Sequence, residues 1–475
     1  MTKSFMPHLI VVLPGITGSV LAKDGQDVWA PTPGALWRGV ASGGGALSSL
    51  ALGADDWEID DVEDGITAPR LVDEVTVIPG LYKTAGYTTL IRALHERFQL
   101  IDASLAATTA GNFLPFPYDW RRDNRASAKK LQRAILDCLD RWRKASNNPR
   151  ARVILLAHSM GGLIARYYLE CLEGWRDCIA LMTFGTPFRG SPSALGYLAN
   201  GYKQAFVDVT EVLRSCTSVY QLLPIYPVVL VDTEWRRVSE ADAVPGVDRA
   251  RAAAALQFHR DIETAMDANM RMDEYNQVDY KTLPFVGVYQ PTLQSATLSQ
   301  GRISVSEELP PVVPLELDAG DGTVPRCSAI PIEMSDDFRE TYRAERHGIL
   351  QSNGIIVDDV LNRLGQIASA ASHAKIRGLE TRPDASGLSL ALDDAYAPGE
   401  PIGMTIRGVN CTPAAVNIVI TRMDTKAPSA YAAAPRGSSW SVEIEPQPPG
   451  VYHVKASAVG EAVPSVQDVF IVTPD

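Results

Sequence analysis

From residue 8 to about residue 370, short apolar runs alternate with stretches in which apolar residues return every third or fourth position. The runs His8–Leu13, Val75–Ile78, Arg152–Leu156, Cys178–Phe184 and Pro284–Tyr289 have the length and content of buried strands. Between them, Arg125–Lys144 puts Leu131, Ile135, Cys138, Leu139 and Trp142 on one helical stripe, and Gly162–Leu172 reads as a further helix. Strands alternating with helices predict an α/β protein: a mostly parallel sheet with helices on both faces. Two stretches break the rhythm. Gln26–Asp73 is rich in Gly, Ala and Trp (Trp29, Trp37, Trp57), and Ser191–Lys281 is mostly helical. Neither fits a short connection in a compact sheet, so both are expected to be cap or lid insertions.

From about Ile376 the pattern changes. Helix formers thin out, and Pro and Gly separate short alternating runs at Met404–Arg407, Val416–Thr421, Ser439–Ile444 and Val451–Ala456. This predicts a small immunoglobulin-like β-sandwich over residues 376–475, following a catalytic unit over 1–372 with cap insertions at about 26–73 and 191–281.

A chain of 475 residues, 46% hydrophobic and 21% charged, can bury one large core and a second, smaller one. No stretch approaches the ~20 apolar residues of a membrane-spanning helix. The formal net charge of -12 argues against a nucleic-acid partner, which would need a basic footprint. His8–Leu13 is read as the first strand of the sheet and not as a secretion signal. The six cysteines are scattered with no Cys-x-x-Cys pair, so reduced thiols in a cytoplasm are expected, with no metal and no cofactor.

The chemistry centres on Ala157-His158-Ser159-Met160-Gly161, which lies between an apolar run and a helix. A sharp strand-to-helix turn there would lift the Ser159 hydroxyl out of the sheet and aim the first amides of the helix at the same point. A serine hydroxyl needs a base, and the base needs a group that fixes its tautomer. In this architecture the order along the chain is serine, acid, histidine. Asp321, in Gly320-Asp321-Gly322-Thr323-Val324-Pro325, and His347, in Arg346-His347-Gly348, satisfy it. His373 and Asp318 are the alternatives; the first lies in an Ala/Ser-rich stretch and the second lacks flanking glycines. His158 adjoins the nucleophile, but neighbouring side chains at such a turn point apart, so it is assigned to packing. The oxyanion donors are expected to be the amides of Met160 and of Ile16, with Thr17 as the fallback for Ile16, in the loop Pro14-Gly15-Ile16-Thr17-Gly18-Ser19.

These segments, with Pro117-Tyr118-Asp119-Trp120-Arg121, Phe184-Gly185-Thr186-Pro187-Phe188-Arg189-Gly190-Ser191, Leu222-Leu223-Pro224 and Val288-Tyr289-Gln290-Pro291-Thr292, occur in the order seen in one family. The chain resembles the lecithin:cholesterol acyltransferase group of α/β-hydrolases, which includes phospholipases A and lipid acyltransferases. The resemblance implies an α/β-hydrolase fold and an acyl ester substrate, usually a phospholipid, whose acyl group passes through Ser159. It also implies a structural role for Asp119 and Trp120 at the floor of the site. Two departures stand out. No cysteine precedes Cys138, so the first insertion must be held by packing alone, and the C-terminal sandwich is an addition to the family pattern. Both point to a bacterial-type cytoplasmic enzyme, peripheral to membranes where it meets its substrate.

The leading expectation is a lipid acyl hydrolase of phospholipase A or lipase type. A lipid acyltransferase, with an alcohol in place of water, uses the same residues, and an inactive hydrolase core serving as a scaffold is the alternative outside enzymology. Leu222 and Leu223, in an apolar run reaching Leu230, are the candidate acyl-binding residues; the competing reading is that the run is core. The sandwich is expected to bind a protein partner, a membrane surface or a second copy through its exposed strand edges.

Overall fold

The computed structural model describes residues 3–30, 49–73, 76–78, 82–84, 86–103, 109–204, 207–278, 280–334, 342–369, 386–460 and 463–473. Val75, Trp37, His373 and the boundary expected between 372 and 376 lie outside the described residues.

Six strands form one sheet: β1 (Leu9–Leu13), β2 (Phe113–Pro115), β3 (Val153–His158), β4 (Cys178–Phe184), β5 (Lys281–Gly287) and β6 (Tyr342–Arg343). Their order across the sheet is β6-β5-β4-β3-β1-β2, and every pairing is parallel. Parallel strands need crossovers, and these are the helices. The period-2 alternation of strand side chains sorts them between two cores. Leu9, Val11, Leu13, Val153, Leu155 and Ala157 share one cluster with Leu131, Ile135 and Leu139 of helix α2 (Asn124–Ala145) and Leu163 and Ile164 of α3 (Met160–Cys171). Ile10, Val12, Ile154, Leu156, Ala180 and Met182 share the other with Leu90 and Leu94 of α1 (Thr88–Arg97) and Ile356, Val360 and Leu364 of α5 (Gly354–Ser369). A parallel sheet with helices on both faces fits the expected α/β-hydrolase arrangement.

Some expectations change. Thr76–Ile78 is a strand, but it pairs antiparallel with Tyr82–Thr84 and stays outside the central sheet. The edge strands β2 and β6 replace it; they hold only three and two residues, too few to show an alternating pattern. The second insertion is not only helical. Beside the long helix α4 (Arg249–Asn269) it contributes Val229–Val231 and Glu234–Arg236 to a four-stranded sheet completed by Ser295–Ser299 and Arg302–Ser306.

The first insertion is held by more than packing. Arg121, wholly buried, pairs with Asp64 at 2.8 Å and with Asp119 at 2.6 Å. Arg122 pairs with Asp55 at 3.1 Å and donates to the carbonyls of Asp56, Ile59 and Asp60. Two arginines that adjoin the Tyr-Asp-Trp segment thus tie its acidic turns down.

Beyond residue 386 there are two sheets, mostly antiparallel. One has four strands, including Gly387–Leu392 and Ile402–Val409, and the other has five, including Gly450–Val459 and Val466–Val472. Leu388, Leu390, Ile406 and Ile444 of the first pack with Ile418, Val454 and Phe470 of the second.

Candidate active site

Ser159 sits between β3 and α3 with φ 51° and ψ -126°, in a left-handed region that a serine adopts only under constraint. The constraint is visible. The Ser159 amide donates to the Phe184 carbonyl on β4, and its own carbonyl accepts from Gly162. A Cβ on Gly162 would lie 2.0 Å from Thr186 Oγ1 and 2.7 Å from Thr186 Cβ, so only glycine lets α3 come this close to the loop after β4. On the other side, a Cβ on Gly15 would come within 2.8 Å of Ser159 Cβ.

The loops after β5 and β6 bring the other two residues to Ser159. His347 Nε2 lies 2.9 Å from Ser159 Oγ, and His347 Nδ1 lies 2.7 Å from Asp321 Oδ2. Asp321 is 1% exposed; its Oδ1 accepts from the amides of Thr323 and Val324, and its carbonyl accepts from the His347 amide. The carboxylate is therefore oriented by backbone donors before it meets the imidazole. The alternative acid, Asp318, is exposed and its Oδ1 accepts from the neighbouring Ala319 amide.

Met160 is the first residue of α3, where the helix leaves its initial amides without intrahelical partners. Ile16 and Thr17 border the same cleft as Ser159. The loop that carries them is fixed from below: Tyr118 donates to the Pro14 carbonyl at 2.8 Å, and Trp29 Nε1 donates to the Thr17 carbonyl at 3.0 Å. Trp120 packs edge-on against Trp29 with ring centroids 5.1 Å apart, which gives this segment its place beneath the site.

His158 is not mere packing. Its Nε2 lies 3.2 Å from the His347 carbonyl and its Nδ1 lies 3.0 Å from the Tyr87 hydroxyl, which in turn accepts from the Gly15 amide at 2.8 Å. The one proton assignment that serves all three contacts puts the imidazole hydrogen on Nε2 and lets Tyr87 donate to Nδ1. Burial holds the His158 pKa well below its ordinary value, and the nearby His347 adds to the effect, so His158 is a fixed neutral tautomer. Side chains do point apart at the turn, but pointing away from Ser159 brings this ring under the loop of His347. Nothing in the sequence singles out Tyr87.

A cleft of about 290 Å³ opens at Ser159 and His347. Pro187, Ala194, Leu213, Val219, Leu222 and Leu293 form an apolar wall. Of the two candidate acyl-binding leucines, Leu222 is on that wall, whereas Leu223 is buried in the large core. Arg346, Asp394 and Asp468 also line the cleft. Asp468 lies on a strand of the C-terminal sheets, and Asp394 in the bend after Gly387–Leu392. Among the described residues no group of three or more His, Cys, Asp or Glu could hold a metal ion, and none of the six cysteines is in a disulfide.

Residues 106–309 match the family model for lecithin:cholesterol acyltransferase. Over these residues the chain is similar to that family. The lysosomal phospholipase A and acyltransferase of Homo sapiens is 29% identical over 116 residues, 23% of this chain and 27% of that protein. The Rattus norvegicus protein of the same name matches over the same shares. The chain thus spans about a quarter of the length of these curated relatives. A Bacillus licheniformis lipase, BlEst2, in its propeptide form covers 99% of this chain at 10% identity, with a TM-score of 0.34. At that score the fold assignment rests on the strand order of the central sheet itself.

Proposed function

We propose that the protein is a serine-dependent lipid acyl ester hydrolase of phospholipase A or lipase type. The observation that carries this reading is the hydrogen-bonded chain Asp321–His347–Ser159, at 2.7 and 2.9 Å, opening on a cleft with an apolar wall. In this reading His347 Nε2 takes the Ser159 proton as Oγ attacks the ester carbonyl, and the Ile16 and Met160 amides receive the oxyanion. The tetrahedral intermediate collapses when the imidazolium returns the proton to the departing alcohol, leaving an acyl group on Ser159. Water, deprotonated by the same imidazole, then releases the fatty acid. Asp321 holds the imidazole with Nδ1 as donor and stabilises its charged form.

An acyltransferase is the second reading, since the curated relatives carry that activity in their names and an alcohol in place of water needs no other residue. Reaction with a fluorophosphonate, with the adduct mapped to Ser159, tests the nucleophile; an unlabelled wild-type protein would mean an inactive scaffold. Mass spectrometry of the products of a phospholipid substrate, with and without an alcohol acceptor, separates hydrolase from transferase. Ser159→Ala and His347→Ala should each reduce turnover by several orders of magnitude, and the double variant should be little worse than either. Additive losses would show that the two residues do not act as a unit.

Residues 376–475 are proposed to be an immunoglobulin-like sandwich separate from a catalytic unit over 1–372, with strand edges able to meet a membrane surface, a partner or a second copy. A neutral cytoplasmic setting is the matching proposal for location.

A further inference from the structure

The C-terminal sheets touch the hydrolase core at the loop that carries His347, and they do so with charged and backbone groups. Arg346, adjacent to His347, pairs through Nε with Asp468 at 2.9 Å and donates through Nη1 to the Leu390 carbonyl at 2.8 Å. Glu345 is wholly enclosed. Its Oε1 accepts from the Arg346 amide at 2.9 Å and from the Gln467 amide at 3.1 Å, and its Oε2 accepts from Asn353 Nδ2 at 2.7 Å. A third tie lies on the acid side. Gln290 donates to the Leu388 carbonyl and accepts from the Leu390 amide, both at 3.1 Å, while its own amide donates to the carbonyl of Gly320, next to Asp321. Ile349, two residues past His347, packs with Val451 and Val469.

We propose that Gly387–Leu392 and Val466–Val472 of the C-terminal sheets form a latch that sets the position of the His347 imidazole between Asp321 and Ser159, with Glu345, Arg346, Gln290 and Asp468 as positioning residues. This rests on the reading of Ser159, Asp321 and His347 as the reacting triad.

Three features favour a latch over incidental contact. Asp468 is 2% exposed, and a buried carboxylate is costly unless it is paired and hydrogen-bonded. Here its partner is the residue beside the base. The Glu345 carboxylate joins three donors from three segments: its own loop, α5's leading Asn353, and the C-terminal strand. The His347 loop also has little secondary structure of its own, only β6 of two residues and one turn at His347–Ile349, so its position depends on what it is bonded to. A base must be held to within a fraction of an ångström, and a displacement of about 1 Å costs on the order of a hundredfold in rate.

The charged and titratable groups at this junction are Glu345 and Arg346 from the core, and Asp394 and Asp468, with His453 behind Gln467, from the C-terminal unit. Removing one of them shifts the local charge as well as the geometry, so the test must separate the two.

The test uses the full chain with Asp468→Asn, Arg346→Met and Glu345→Gln. The rate of fluorophosphonate labelling at Ser159 is followed against pH, with kcat and KM for a p-nitrophenyl acyl ester. If the latch holds, the alkaline plateau of the labelling rate falls roughly tenfold or more in Asp468→Asn, and kcat falls with it while KM changes little. A purely electrostatic effect would move the midpoint and leave the plateau intact. A substrate contact by Asp468, which also borders the cleft, would raise KM and leave reaction with a small phosphonate unchanged. Either of those results overturns the proposal. Should Glu345→Gln lack a cooperative unfolding transition, Arg346→Met and the isosteric Asp468→Asn decide the matter. A wild-type protein that is not labelled at Ser159 refutes the functional reading instead, and is told apart by that control.

Discussion

Removing one oxygen from Tyr87 should disturb both the stability of the hydrolase core and its reaction at Ser159. In Tyr87→Phe the ring still fills its place, so no cavity opens; Tyr87 is 1% exposed and stays so. What is lost is the junction of a relay. The Gly15 amide loses its acceptor at 2.8 Å, and His158 Nδ1 loses its donor at 3.0 Å. Leaving a buried polar group unsatisfied costs about 1–3 kcal/mol, and two such groups, offset by no longer burying the phenol oxygen, give a net cost of about 3 kcal/mol. Tyr118→Phe is the matched control, because it too removes one buried hydroxyl from the same loop. It takes the donor from the Pro14 carbonyl, for which about 1 kcal/mol is expected. Urea unfolding of both variants measures the difference. The labelling rate at Ser159 should fall in Tyr87→Phe as well, because Gly15 lies against Ser159 and His158 holds the loop of His347. A Tyr87→Phe variant as stable as Tyr118→Phe, labelled at the wild-type rate, would refute the relay.

Further outcomes are expected elsewhere. Gly162→Ala should destabilise by roughly 1–3 kcal/mol despite the better helix propensity of alanine, because the added Cβ meets all three side-chain atoms of Thr186 and no rotation of Thr186 clears it; Thr186→Gly in the same chain should restore most of the loss, and its failure to do so would place the strain elsewhere. Asp321→Asn should be severe and Asp318→Asn mild in a turnover assay, with the reverse result reassigning the acid. His259, wholly buried with Nε2 2.8 Å from the Gln221 carbonyl, has its pKa depressed by burial to about 4. Its neutral form is the one folded in, so the stability it confers is full above the ordinary value of 6.5 and drains away as pH falls from 6.5 towards 4. A shift of that size is worth on the order of 3 kcal/mol; thermal melts between pH 7 and pH 4.5 should show a smaller acid loss in His259→Gln than in wild type, and parallel curves would exclude His259 as the cause. Leu222→Asp should weaken hydrolysis of long acyl esters more than short ones, whereas Leu223→Asp should unfold the core; equal losses on both chain lengths for Leu222→Asp would remove the apolar wall from substrate binding.

The α/β layering was legible because it is written in periods. Leu9 to Leu13 and Val153 to His158 are continuous apolar runs, as buried parallel strands must be, and the α2 stripe repeats at helical spacing. Ser159, Asp321 and His347 were legible for a different reason: each sits in a turn whose glycines or chain order carry chemical meaning. Leu222 and Leu223 show where that kind of signal ends. Adjacent residues of the same type differ in role by the direction of one side chain, and an apolar run with no period does not encode direction. Tyr87, His158 and Gln290 were illegible because their roles are pairings across 71 to 189 positions of chain.

The same reasoning explains why the C-terminal unit looked inert. A shift in composition near residue 376 marks a change of architecture, and by itself says that a new core begins there. Whether that core stands alone depends on a few residues whose partners are remote: Asp468 reaches Arg346, the Gln467 amide reaches Glu345 across 122 positions, and Leu388 and Leu390 reach Gln290. None of these alters the alternation of its strand, because each contact is made by a backbone group or by one carboxylate. A hydrolase core cut off before the C-terminal sheets would keep every residue that reacts, yet it would expose Ile349 and leave the Glu345 carboxylate and the Gln290 side-chain amide without their partners in those sheets; Ile349 and Glu345 are each two positions from His347, and Gln290 is hydrogen-bonded to Gly320 beside Asp321. The reacting residues and the residues that hold them in register are therefore distributed over different stretches of the chain. A cut placed by composition alone would separate one set from the other.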